Sequence, residues 1–107
     1  MKIMLLDKIR ECCKKNNIIW TPHAITRMME RGLTKNDVMS CIYEGKIIEN
    51  YPDDFPYPSC LIYGHAINLR VIHVVIGSDR EYIFVITAYE PDAIRFEDDL
   101  KTRKEIK

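Results

Sequence analysis

His23, Arg27 and Arg31 recur at a four-residue spacing within Thr21–Gly32. Residues at i, i+4 and i+8 share one stripe of an α-helix. One imidazole and two guanidiniums on such a stripe can hold a phosphate and move a proton. The same stripe also suits a solvated helix face whose arginines pair locally, with Glu30 as an available acid. Two further residues carry usable chemistry. His73 stands in the run Val71-Ile72-His73-Val74-Val75-Ile76, whose pattern needs no polar member. Tyr89 closes a later apolar stretch that begins near Ile83. An imidazole on an open sheet face titrates near neutrality and serves as acid or base. A phenol donates a proton or binds a phosphate, and its ring can stack on a base. Each also has a plainer role: a His buried and satisfied by a hydrogen bond, and an aromatic that packs at a strand end. Arg70, Arg103 and Lys104 add cations able to hold phosphate.

Other chemistries find no support in the residue pattern. There is no Gly-rich phosphate loop, no Gly-x-Ser-x-Gly elbow, and no His, Cys or carboxylate set at metal-ligand spacing. No metal and no cofactor are therefore expected. What the inventory allows is metal-independent acid–base chemistry on a polyanion. RNA cleavage by 2′-OH attack needs a base, an acid and cations for the developing charge. His, Tyr and Arg supply those roles, and each proton-transfer group contributes about 10²–10⁴-fold. This makes His23, His73 and Tyr89 the candidate catalytic residues, and Arg27, Arg31 and Arg70 the candidate substrate-binding ones.

Elements to position these residues are legible along the chain. Lys2–Asn17 has helical periodicity in Ile3, Leu5, Leu6, Ile9, Cys12 and Cys13, with Asn16-Asn17 as its end. Thr21 caps a second helix, Pro22 suits its first position and Gly32 its stop. Ala24, Ile25, Met28 and Met29 form the core-facing stripe of that helix. A third helix starts at Thr34, with Asp37 completing a capping box, and ends at Gly45. The period then switches to two. Strands are expected at Lys46–Tyr51, Ser59–His65, Arg70–Ile76 and Glu81–Tyr89, with a hairpin turn at Gly77–Arg80. Alternation points His73 with Val71 and Val75, and Tyr89 with Thr87, Val85 and Ile83. A final helix opens at Pro91-Asp92, and the charged end Lys101–Lys107 frays. The expected fold is α+β, with N-terminal helices packed on a four-stranded antiparallel sheet and a C-terminal helix.

Bulk properties bound the partners. The chain has 107 residues, enough for one domain over residues 1–107. With 47% hydrophobic and 30% charged residues it reads as a soluble globular protein. Its apolar runs are too short to span a bilayer, and its N-terminus has no signal-peptide pattern. Cys12, Cys13, Cys41 and Cys60 form no Cys-x-x-Cys pair, so free thiols in a reducing cytoplasm are expected. Net charge is zero, yet residues 1–35 carry eight Lys and Arg against three acids, a local +5 balanced by −5 in the remainder. A neutral total argues against strong non-specific nucleic-acid binding, while the basic first third can still form a patch.

The ordered pieces His23-Ala24…Arg27-Met28…Glu30-Arg31-Gly32, Asp37-Val38, Tyr51-Pro52-Asp53-Asp54…Pro58-Ser59, His73-Val74-Val75 and Thr87…Tyr89-Glu90-Pro91 resemble bacterial domain-of-unknown-function family 4258. The match covers about residues 20–104, leaving 1–19 as an N-terminal helix and link. That family is similar to the RelE/ParE-like toxins, including the BrnT-like branch. The resemblance implies a RelE-like sheet-plus-helices fold, a cytoplasmic toxin-type ribonuclease, RNA or the ribosome as target, and a neutralising antitoxin protein. Carried over residue by residue, it points to His23, Arg27, Arg31, His73 and Tyr89. The alternative is a non-catalytic RelE-like binding or regulatory module that acts through protein contacts.

Overall fold

A computed structural model describes residues 4–91 and 100–102. Its elements are α1 (Leu6–Lys14), β1 (Ile18–Trp20), α2 (Pro22–Arg31), α3 (Lys35–Glu44), β2 (Lys46–Tyr51), β3 (Ser59–His65), β4 (Val71–Ser78) and β5 (Ile83–Tyr89). The fold is α+β, as expected, but the sheet differs. It has five strands in the order β1-β5-β4-β3-β2, with β1 parallel to β5 and the other pairs antiparallel. The four-stranded antiparallel expectation missed β1, which is three residues long and carries no alternation of its own. It exists because β5 offers an edge: the Ile83 N–H donates to the Asn17 carbonyl, and the Thr21 N–H donates to the Val85 carbonyl. The expected final helix lies outside the described residues.

Helix ends follow their local signals. The Thr21 hydroxyl accepts from the Ala24 N–H at 3.2 Å and donates to the Val85 carbonyl at 2.8 Å, so one side chain starts α2 and ties it to β5. Gly32 ends α2 with φ +66, the left-handed turn that suits glycine. Thr34 and Asp37 form the capping box of α3. The second Asp37 carboxylate oxygen accepts from the Ile67 N–H at 3.0 Å, which pins the β3–β4 turn to the start of α3.

Helices cover one face of the sheet. Ile9, Ala24, Met28, Val38, Cys41 and Ile42 pack with Ile62, Ile72, Val74, Ile76, Val85 and Ala88 in a single core. Gly64 lets α3 sit close to β3: a Cβ there would lie 2.8 Å from both the Cys41 carbonyl oxygen and Sγ. Met29, expected in the core, is 76% exposed. Only the Ala24–Met28 stripe of α2 is buried, and Met29 lies about 100° further round the helix.

β5 contains the second correction. Val75 pairs with Thr87 but Ile76 pairs with Val85, so Ile86 is an extra residue, a β-bulge. The bulge reverses the alternation within β5. Ile83, Val85 and Ala88 face the helices, whereas Thr87 and Tyr89 share the opposite face with His73. The expectation that Tyr89 shares a face with Val85 and Ile83 is thus overturned by one inserted residue.

Two stability predictions follow from these contacts. Gly64→Ala must push α3 off β3 and is expected to cost about 1–3 kcal/mol in denaturant titration, with the fold retained. The Asp37 carboxyl sits below its usual range. Burial alone would raise it, and the N–H groups of Thr34 and Ile67, the Thr34 hydroxyl and the Arg70 charge outweigh that cost. A carboxyl lowered on folding contributes stability that is full above its unfolded value of about 3.9 and is lost as pH falls through the native value. Asp37→Asn is therefore expected to lose about 1–2 kcal/mol at neutral pH. The gap from the wild type should close progressively below about pH 4 when melting is followed against pH.

Candidate functional site

The second face of the sheet is where the polar side chains gather. Lys46 pairs with Tyr63, Tyr63 with His73, and His73 with Tyr89, so four residues form one row across β2, β3, β4 and β5. β4 is the middle strand, and His73 is completely buried there. Its ring lies 5.4 Å from the Tyr89 ring and 6.1 Å from the Tyr63 ring, both edge-on. Lys101 places its ammonium 4.6 Å from the centre of the Tyr63 ring. In the next row Glu49 pairs with Leu61, and Glu49 accepts a hydrogen bond from the Tyr51 hydroxyl. At the far end of the face Tyr57 stacks on Phe84, with centroids 5.4 Å apart.

Hydrogen bonding defines the state of His73. Nε2 lies 2.7 Å from the Leu100 carbonyl oxygen, and Nδ1 lies 3.4 Å from Tyr89 Oη. A carbonyl can only accept, so Nε2 carries the proton. In the neutral ring Nδ1 is then an acceptor facing the phenol. Of the two roles the sequence allowed for His73, the structure shows the buried and hydrogen-bonded one.

The helix stripe lies elsewhere. His23, Arg27 and Arg31 are all exposed on the outer side of α2. The buried side of α2, Ala24 and Met28, packs on the helix-covered face of the sheet. The sheet therefore separates this stripe from His73 and Tyr89, and the expected sites do not converge. Arg27 pairs with Glu30 at 3.4 Å, the local partner available in the sequence. Arg70 is spent on architecture. It donates to Glu90 at 2.7 Å, to the Gly32 carbonyl at 3.3 Å and to the Arg31 carbonyl at 3.5 Å, so it closes the C-terminus of α2 onto the end of β5. Arg103 and Lys104 lie outside the described residues.

Sequence reasoning missed Lys46, Tyr63 and Lys101. Tyr63 looked like one aromatic among several, and only the strand register makes it a neighbour of His73. Lys101 sits in a charged stretch that carries no periodic signal. His65, one pleat from Tyr63, is held by Glu44, with Nδ1 3.2 Å from its carboxylate.

The cysteines offer no nucleophile. All four are free, and burial pushes Cys13 up to about 11 and Cys41 and Cys60 up to about 12, so their thiolates are scarce near neutrality. No group of three or more His, Cys, Asp or Glu could hold a metal among the described residues. No helix among them is long and apolar enough to cross a membrane. An open cleft of about 790 Å³ runs between α1 and the β4–β5 turn, edged by Lys8, Lys15, Tyr57 and Arg80. It contains none of the expected site residues, and its cations alternate with Glu11, Asp79 and Glu81.

Arg70→Ala is expected to lower stability by about 1 kcal/mol, because its ion pair is half in solvent while its carbonyl contacts close a helix end. Arg70→Lys should not recover this loss in a thermal melt, since one ammonium cannot span the fork of acceptors.

No curated protein and no solved structure matches the chain. The model of the family Domain of unknown function (DUF4258) does match, over residues 20–90. That span runs from the last residue of β1 to just past β5, shorter than the expected 20–104; it includes His23, Arg27, Arg31, Arg70, His73 and Tyr89 but not Arg103 or Lys104, and on it the chain belongs to the DUF4258 family.

Proposed function

We propose that the row on the second sheet face is an acid–base site for RNA phosphates, and that the protein is a RelE-like, toxin-type, metal-independent ribonuclease of the cytoplasm. The observation that supports this reading is the pairing of His73 with Tyr89 at 3.4 Å. Two proton-transfer groups in contact, with the ammonium of Lys101 over the adjacent Tyr63, are what 2′-OH attack on phosphorus requires. Lys46 extends the cationic edge of the row. In this reading His23, Arg27 and Arg31 contact the RNA backbone away from the reacting centre. RNA or a ribosome-bound message is the substrate, and an antitoxin protein is the natural inhibitor.

A second reading has its own observation. His73 has no exposed surface, and Arg70 is engaged with helix carbonyls and Glu90. Both favour a non-catalytic RelE-like module that binds other proteins.

RNA cleavage by the purified full chain separates the two, assayed on free RNA and on ribosome-bound message. The ribonuclease reading expects His73→Ala to lose about 10²–10⁴-fold. Arg27→Ala, away from the row, should lose far less. Absence of cleavage by the wild type on both substrates overturns the ribonuclease reading, and equal rates in all three proteins overturn the assignment of His73 to it.

A further inference from the structure

We infer that Tyr89 is the group that meets the ligand, and that His73 is the proton acceptor behind it, oriented by the Leu100 carbonyl. This rests on the reading of the row as an acid–base site and assigns the order of its parts. Exposure sets that order: His73 is wholly buried, whereas Tyr89 is partly exposed at the end of β5. A ligand approaching the pair reaches the phenol first. The 2.7 Å contact from Nε2 to the Leu100 oxygen fixes the tautomer, so the acceptor lone pair of Nδ1 is aimed at Tyr89 Oη. A base whose far nitrogen is held by a third group, with its near nitrogen on a hydroxyl, has the arrangement of an activated hydroxyl.

The pair takes up the proton of the attacking hydroxyl, and the leaving oxygen takes its proton from water. A ligand hydroxyl gives its proton to Tyr89 Oη as the phenolic proton of Tyr89 passes to His73 Nδ1. The ligand O–H bond and the original phenol O–H bond break, and a new phenol O–H bond and an Nδ1–H bond form. The ligand is left as an alkoxide nucleophile, Tyr89 ends neutral, and the positive charge rests on an imidazolium that donates to Leu100. The two transfers occur in one concerted step, so no free tyrosinate is formed. His73 is a positioning and proton-accepting residue that acts through Tyr89. Among the described residues, the charged and titratable groups on this face beside the pair are Tyr63 and His65 on β3, with Glu44 on His65, Lys46, Glu49 and Tyr51 on β2, and Lys101 from the chain beyond β5.

Two measurements on the full chain test this. In ¹⁵N spectra of the neutral form, His73 is expected to show a protonated Nε2 and an unprotonated Nδ1. Tyr89→Phe should shift the Nδ1 resonance and leave Nε2 in place. Protonated Nδ1, or an Nδ1 resonance unmoved by Tyr89→Phe, overturns the relay. In RNA cleavage, Tyr89→Phe and His73→Gln should each lose about 10²–10³-fold. Both losses should fall on kcat and leave KM in place, a split that a merely structural role would not produce. An active wild type with an unchanged Tyr89→Phe overturns the relay and spares the ribonuclease reading. A wild type that cleaves no RNA overturns both. Thermal melts of the two variants within a few degrees of the wild type confirm that folding is retained.

Discussion

One extra residue in β5, Ile86, decides which side chains meet on each face of the sheet. Without it, strict alternation would place Tyr89 on the helix side with Val85 and Ile83. With it, Val85 and Ala88 both reach the core, and Thr87 and Tyr89 turn to the face that His73 occupies. A one-residue slip in a strand exchanges its two faces, so the bulge governs both packing and polar chemistry. It reconciles two demands on one strand. The first half of β5 must fill the core beneath α2, and its last residues must satisfy a buried imidazole in β4.

That imidazole is the second constraint. Burying an unpaired polar ring costs several times what a typical hydrogen bond returns, so the middle strand can hold a histidine only if both nitrogens find partners. Tyr89 supplies one across the β4–β5 ladder and Leu100 supplies the other from beyond β5. Leu100 adopts φ +59, a left-handed backbone that a leucine rarely takes. The same arrangement that satisfies the ring leaves it a single acceptor nitrogen on a phenol, so stability and candidate chemistry share one set of bonds.

On the opposite face, polar residues are consumed in joining elements. Thr21 connects the start of α2 to β5, Arg70 connects its end to Glu90, and Asp37 connects α3 to the β3–β4 turn. Each satisfies backbone groups that helix ends leave open. The stripe of His23, Arg27 and Arg31 is what remains of α2 after its buried side is committed, which is why it faces solvent.

Much of this was legible in the residues alone. The starts of α2 and α3, the stops at Gly32 and Gly45, and the strands Lys46–Tyr51 and Ser59–His65 follow from caps, glycine and alternation. These are contacts within a few residues, whose energies depend little on the rest of the chain. The sequence by itself also determined that His73 points with Val75, because β4 has no irregularity between them. The tertiary structure alone decided the pairing of β1, the bulge at Ile86, the row from Lys46 to Tyr89, the Leu100 contact and the destination of Arg70. Each joins residues far apart in the chain. Register and hydrogen-bond partners at that range are set by whichever packing satisfies the whole core, and no local pattern encodes them.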